Sequence, residues 1–118
     1  MPLFGPPNVE KLQSKGKVKA LIKALDYEKD LEIARRAALA LGALGDRDAV
    51  QPLVTKLRAG PTGVRQAAAL ALGRIGDLAA GDDLIAVLDD RDVREHAIEG
   101  LVALGASSIG PSRPEGND

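Results

Sequence analysis

Apolar residues recur along this chain at i, i+3, i+4 and i+7, the spacing that lines one face of an α-helix. The pattern comes in pairs. Val18, Leu21, Ile22 and Leu25 form one stripe, and Ile33, Ala37, Leu41 and Leu44 form the next. The pair returns as Val50, Leu53, Val54 and Leu57, then Val64, Ala68, Leu72 and Ile75. It returns again as Leu84, Ile85 and Leu88, with Gly81 in place of the leading valine, then Val93, Ala97, Leu101 and Leu104. The string IARRAALALGALGD at 33–46 reappears 31 residues later as VRQAAALALGRIGD, with eight of fourteen positions identical, and VREHAIEGLVALG from Val93 is a weaker copy. A fixed period of this size predicts a stacked array of helix pairs.

The punctuation predicts where helices begin and end. Gly45, Gly76 and Gly105 follow the last apolar residue of each second helix, where a left-handed residue ends a helix. Asp30 and Asp90 stand three residues before the first apolar residue of their helices, at an N-cap position. Unit two has Pro61 there, with Gly60 and Thr62 both open as caps. Asp46 and Asp77 are placed to cap the following first helices, with Asp48 a competitor in unit two. Pro52 falls in or near a first turn, where it is tolerated.

These signals predict an all-α solenoid of about three antiparallel helix pairs. Residues 1–16 form an N-terminal cap segment in which Asn8 starts the short helix VEKLQSK, Gly16 closes it, and Leu3, Phe4, Val9 and Leu12 cover the first layer. The repeat array spans 17–105, in units of about 17–46, 47–77 and 78–105. Residues 106–118 are polar and proline-rich without periodicity, and are expected to be a disordered tail.

Composition narrows the picture. Among 118 residues there is no cysteine, which removes disulfides and thiolate metal sites. Phe4 and Tyr27 are the only aromatics, so the core is Leu, Ile, Val and Ala, as thin stacked layers require. No apolar run approaches the roughly 18 residues of a membrane span. The start MPLFGPPN lacks a signal-peptide pattern, so a cytoplasmic location is expected. Charge is unevenly placed: residues 1–76 hold 13 Lys/Arg and 7 Asp/Glu, and residues 77–118 hold 3 and 10. An array converts order in sequence into order in space, giving a basic end and an acidic end. These could attract head to tail, although two solvated ends are the simpler reading.

The strings VRQAAALALGRIGD and IARRAALALGALGD, each followed by a helix of the form DAVQPLVTKL, resemble HEAT-like repeats of the short class named after phycobilisome lyases. The likeness covers about 17–105 and rests on scaffold residues. It implies a curved stack whose second helices line the concave face, and a role in binding other proteins. Some members of the class are bilin lyases and one is a di-iron hydroxylase, so an accessory or lyase-like subunit of an enzyme complex is the alternative role.

Candidate chemistry is sparse. The hydroxylase's metal site resembles repeated His-Glu pairs, but this chain has one histidine, His96, on the flank of its helix. No metal site or other cofactor is expected. Of the serines Ser14, Ser107, Ser108 and Ser112, three fall in the tail, so no Ser–His–Asp set is available. Asp82 and Asp83 read as first-turn acids, and the glycines read as helix terminators rather than a phosphate loop. Lys11, Lys15, Lys17, Lys19 and Lys23, with Arg35, Arg36, Arg65 and Arg74, supply charge for weak nucleic-acid binding. Without stacking aromatics this ranks third, behind a solvated lysine face.

Leu39 and Leu70 occupy one repeat position and lie off the core stripe, with Glu99 at that place in unit three. Either they pack sideways on the next layer, leaving Glu99 polar because no layer follows, or they form an apolar strip in the concave groove. In the second case the partner-binding residues are Arg35, Leu39, Gln66, Leu70 and Arg74. The expected role is therefore a non-enzymatic protein-binding or scaffold module, its partner another protein or a second copy of the chain. The sequence names neither substrate nor pathway.

Overall fold

The computed structural model describes residues 5–109. Over these it is a row of seven helices: α1 (Val9–Ser14), α2 (Val18–Ala24), α3 (Leu31–Leu44), α4 (Val50–Ala59), α5 (Thr62–Ile75), α6 (Gly81–Ala86) and α7 (Arg94–Ile109). Helices α2/α3, α4/α5 and α6/α7 are the three expected pairs, and α1 packs on α2 and α3 at the N-terminal end. Short 3-10 turns, Arg47–Ala49 and Leu78–Ala80, lead into α4 and α6.

The caps follow from side-chain chemistry. Asn8 accepts the amide of Lys11, Asp30 that of Glu32, Asp46 that of Asp48 and Asp77 that of Ala79. Asp46 is thus the cap in unit two, and Asp48 is the residue it caps. Asp90 accepts the amide of Asp92, making the same turn before α7. At the start of α5 the cap position belongs to Pro61, which has no side-chain acceptor, so neither Gly60 nor Thr62 serves.

Gly16, Gly45 and Gly76 take the left-handed conformation and end their helices. Gly105 does not: α7 runs through it to Ile109, four residues beyond the expected stop, and the expected tail loses its first residues to helix. Ala103, Leu104 and Ala106 around Gly105 favour helix, and Pro111, which cannot continue one, comes six residues later. Leu3, Phe4 and the tail from Gly110 onward lie outside the described residues.

The core is aliphatic and continuous through the layers. Leu21, Leu41, Leu53, Leu57, Leu72 and Leu84 are fully enclosed, with Val64 and Val93. The second helices stand closest together. A Cβ on Gly42 would fall 2.7 Å from the Cα of Ala71, one on Gly73 would fall 2.5 Å from the carbonyl oxygen of Gly100, and one on Gly100 would fall 2.5 Å from that of Ala69. These mid-helix glycines are there for backbone contact between layers, not for helix termination as the sequence suggested. Contact between α3 and α5, and between α5 and α7, is the most extensive in the molecule, and no comparable contact joins α2 to α4 or α4 to α6. Second helices that touch and first helices that splay curve the stack, placing α3, α5 and α7 on its inner side.

Candidate partner-binding surfaces

Helices α3 and α5 are covered by neighbouring layers and leave one narrow stripe to solvent, whereas α7 is also open along Ile98 and Val102. On α5 the stripe is Thr62, Gln66, Leu70 and Arg74, one residue per turn; on α3 it is Glu32, Arg35, Arg36, Leu39 and Ala43; on α7 it is Glu95, Glu99 and Ala103. The five residues picked from the sequence therefore do share one surface, the inner row. Leu39 and Leu70 are both partly buried, and Leu39 packs against the core as well as facing the row.

The polar members of this row are held in place. Arg35 donates to Glu32 through Nε at 2.8 Å and Nη2 at 2.6 Å, while Arg36 Nε reaches the same carboxylate at 3.1 Å. These hydrogen bonds, from Arg35 first and Arg36 second, lower the Glu32 pKa from its ordinary 4.5 to about 2, and Glu32 in turn raises that of Arg35. The stem of Arg35 lies against Gly63 at the start of α5, its Cδ 3.7 Å from where a Cβ would stand. Gln66 Nε2 donates to the carbonyl of Asp92 at 2.7 Å, tying α5 to the next unit. Arg74 is exposed.

Several residues considered for other chemistry prove to be structural. Arg65 donates to the carbonyl of Leu57 at 3.2 Å and pairs with Asp90 of the following unit. Its repeat counterpart Arg94 donates to the carbonyl of Leu88 at 2.6 Å, so an arginine clamps the end of the first helix in units two and three alike. Asp83 pairs with Arg58 at 2.5 Å, and Lys56 with Asp26 at 2.6 Å, both across layers. Lys11, Lys15, Lys17, Lys19 and Lys23 are all exposed on α1, α2 and the turn between them. Of the arginines considered with them, Arg35 and Arg36 pair with Glu32 and Arg65 with Asp90. His96 is partly buried, its Nδ1 enclosed without a hydrogen-bond partner. Among the described residues no three His, Asp or Glu side chains gather where a metal could be held, and no helix is long and apolar enough to cross a membrane.

A second surface escaped the sequence reading. Ile85, Ile98 and Val102 are 56%, 47% and 67% exposed at the C-terminal end of the array. Ile98 and Val102 stand where the inner units have Ala38 and Ala69, and Gly42 and Gly73. The signal was present in that alignment: small residues where a layer follows, large ones where none does.

The geometry is that of a helical repeat stack, and comparison with known families agrees. The family profile for HEAT repeats matches residues 18–105, three quarters of the chain, and the protein belongs to that family. No curated protein matches the sequence. Family membership fixes the scaffold; function resides in the surfaces laid on it.

Proposed function

We propose that this chain is a non-enzymatic protein-binding or scaffold module that works in the cytoplasm and holds its partner along the inner row of second helices. HEAT repeats generally mediate protein–protein interaction, and the observation that supports this site is the pair Leu39 and Leu70. Two leucines from adjacent layers stand in stripes that are otherwise polar or small, beside arginine and glutamine side chains already anchored by Glu32 and Asp92. A partner helix laid across the row meets an apolar centre and a polar rim whose ordering cost has been met in the free protein. The likeness of the repeat strings to the short, lyase-type class is part of the same proposal.

The test is affinity capture from the host with the tagged chain, compared with the double variant Leu39→Glu and Leu70→Glu. The expected result is a folded variant, by circular dichroism, that no longer retains the proteins held by the wild type. Unfolding would assign the leucines to the core. In that event the exposed substitution Arg74→Glu decides, and undiminished capture by that variant counts against the row.

A further inference from the structure

We propose that the open C-terminal end of the array binds the N-terminal end of a second copy of the chain, head to tail. The contact uses none of Arg35, Leu39, Gln66, Leu70 and Arg74, and its apolar residues Ile85, Ile98 and Val102 lie outside the inner row. Arg36, Glu95 and Glu99 border both surfaces, so the variants at Ile98 and Val102 are the ones that separate the two readings.

Among the described residues no helix covers the C-terminal face, and its exposed side chains include Ile85, Ile98 and Val102. Gly42 lies against α5 and Gly73 against α7. Val102 at the third such position is exposed among the described residues, as is Ile98 one turn earlier. Ile85 takes the place of Ile22, which in the first layer borders Pro52 and Lys56 of the next. The three side chains thus share the face on which a fourth layer would sit. Isoleucine and valine there prevent a helix from approaching to backbone contact, as α5 and α7 do. What docks must instead accept two branched side chains one helical turn apart. Residues 110–118, GPSRPEGND, hold no Leu, Ile, Val, Met or aromatic side chain.

The opposite end offers a receptor. Pro6, Pro7, Val9 and Ile33 line an open groove of about 340 Å³, with Glu10 and Arg36 at its edges. Ile33 is partly exposed here, while its counterparts Val64 and Val93 are enclosed, because the short α1 stands before it where a full helix pair stands before them.

Charge selects this pairing over a two-fold one. Residues 77–109 hold eight acidic and two basic side chains, and residues 1–25 hold five lysines and one glutamate. At the C-terminal face Glu95 and Glu99 flank Ile98, with Arg94 one turn before it; at the other end α1 carries Lys11, next in sequence to Glu10 of the groove, and Lys15 follows its last residue. Unlike ends attract and like ends repel. A head-to-tail contact is heterologous and leaves both outer ends open, so it generates chains rather than a closed pair. A contact of one helix face is small, and the association is correspondingly weak and dependent on salt.

Sedimentation equilibrium of the full chain and two variants tests the proposal. One variant, Ile98→Asp with Val102→Asp, blocks the C-terminal face; the other, Lys11→Glu with Lys15→Glu, reverses the N-terminal end. The wild type should exceed its 12.3 kDa monomer mass as concentration rises at low salt, and return toward it as salt is added. Each variant alone should remain monomeric. Their equimolar mixture should form a species of twice the monomer mass and no larger, since only one compatible joint remains. If the aspartate variant fails to fold, Glu95→Lys with Glu99→Lys replaces it. Both joints of that mixture are then complementary in charge, so alternating chains heavier than a dimer are expected, and a mixture that stays monomeric overturns the proposal. Three results would overturn the proposal: a wild type that is monomeric at every concentration and salt, a lysine variant that still dimerises alone, or a mixture that stays monomeric.

Discussion

Leu41 and Leu72 are fully enclosed at equivalent points of neighbouring layers. Truncation of either to alanine should cost about 2–5 kcal/mol, read from chemical denaturation; unchanged stability would show that the core does not depend on this register. The glycines divide into two kinds with opposite expectations. Gly73→Ala drives a methyl group into the backbone of Gly100 and should destabilise by about 1–3 kcal/mol through overpacking. Gly105 has ordinary backbone angles, lies within α7 and has open space at its Cβ. Gly105→Ala should therefore stabilise by about 0.5–1 kcal/mol through helix propensity. A loss of stability there would mean the helix ends at Gly105 after all. Glu32 gives a pH expectation. Its folded pKa is depressed, so its contribution is complete above about 4.5 and is lost as pH falls toward 2. The group is exposed and salt screens it, so the direct measurement is titration of its carboxyl by NMR. A midpoint near 2 is expected, and an ordinary midpoint would show that Arg35 and Arg36 do not hold the carboxylate in solution.

At the scale of the helix, the sequence was readable wherever one local interaction decides the outcome. Asn8, Asp30, Asp46 and Asp77 each cap with their own side chain, and each was visible as a cap. Apolar stripes at helical spacing likewise located the pairs. Features decided by a neighbouring layer were harder to see. Gly42 and Gly73 look like any helix-weakening glycine until α5 and α7 are placed beside them. Arg65 looked like surface charge until the carbonyl of Leu57 and the carboxylate of Asp90 were brought to it. Of the inner-row residues, the stripe itself was legible from periodicity. The depth of Leu39 and Leu70 was not, because it depends on how tightly the adjacent units close. The C-terminal apolar face needed a comparison between units: Ile98 and Val102 matter because of the alanines and glycines they replace.

At the scale of the molecule, the array is an elongated slab, 62 × 34 × 17 Å, in which each unit touches only the next. Its cross-layer ties are few and local: Lys56 with Asp26, Arg58 with Asp83, Arg65 with Asp90 and Gln66 with Asp92. Damage to one joint therefore passes directly to the units beyond it, since no second route through the core bypasses it. The small residues at these joints also make the middle unit an interchangeable part. The back of unit two, at Ala69 and Gly73, is the same in kind as the back of unit one, at Ala38 and Gly42. An extra copy of residues 47–77 spliced in after Asp77 would present Ala71 to Gly73 just as the native copy presents it to Gly42. That four-unit chain should fold without ion pairs at the new joint, since Pro61, Pro52 and Arg58 stand there in place of Asp90, Asp83 and Asp26, and its helical signal by circular dichroism should rise with the added pair. The same cassette placed after Ile109 would meet Ile98 and Val102 and could not seat. The third unit thus acts as a terminator, and the length of this ruler is written in two side chains.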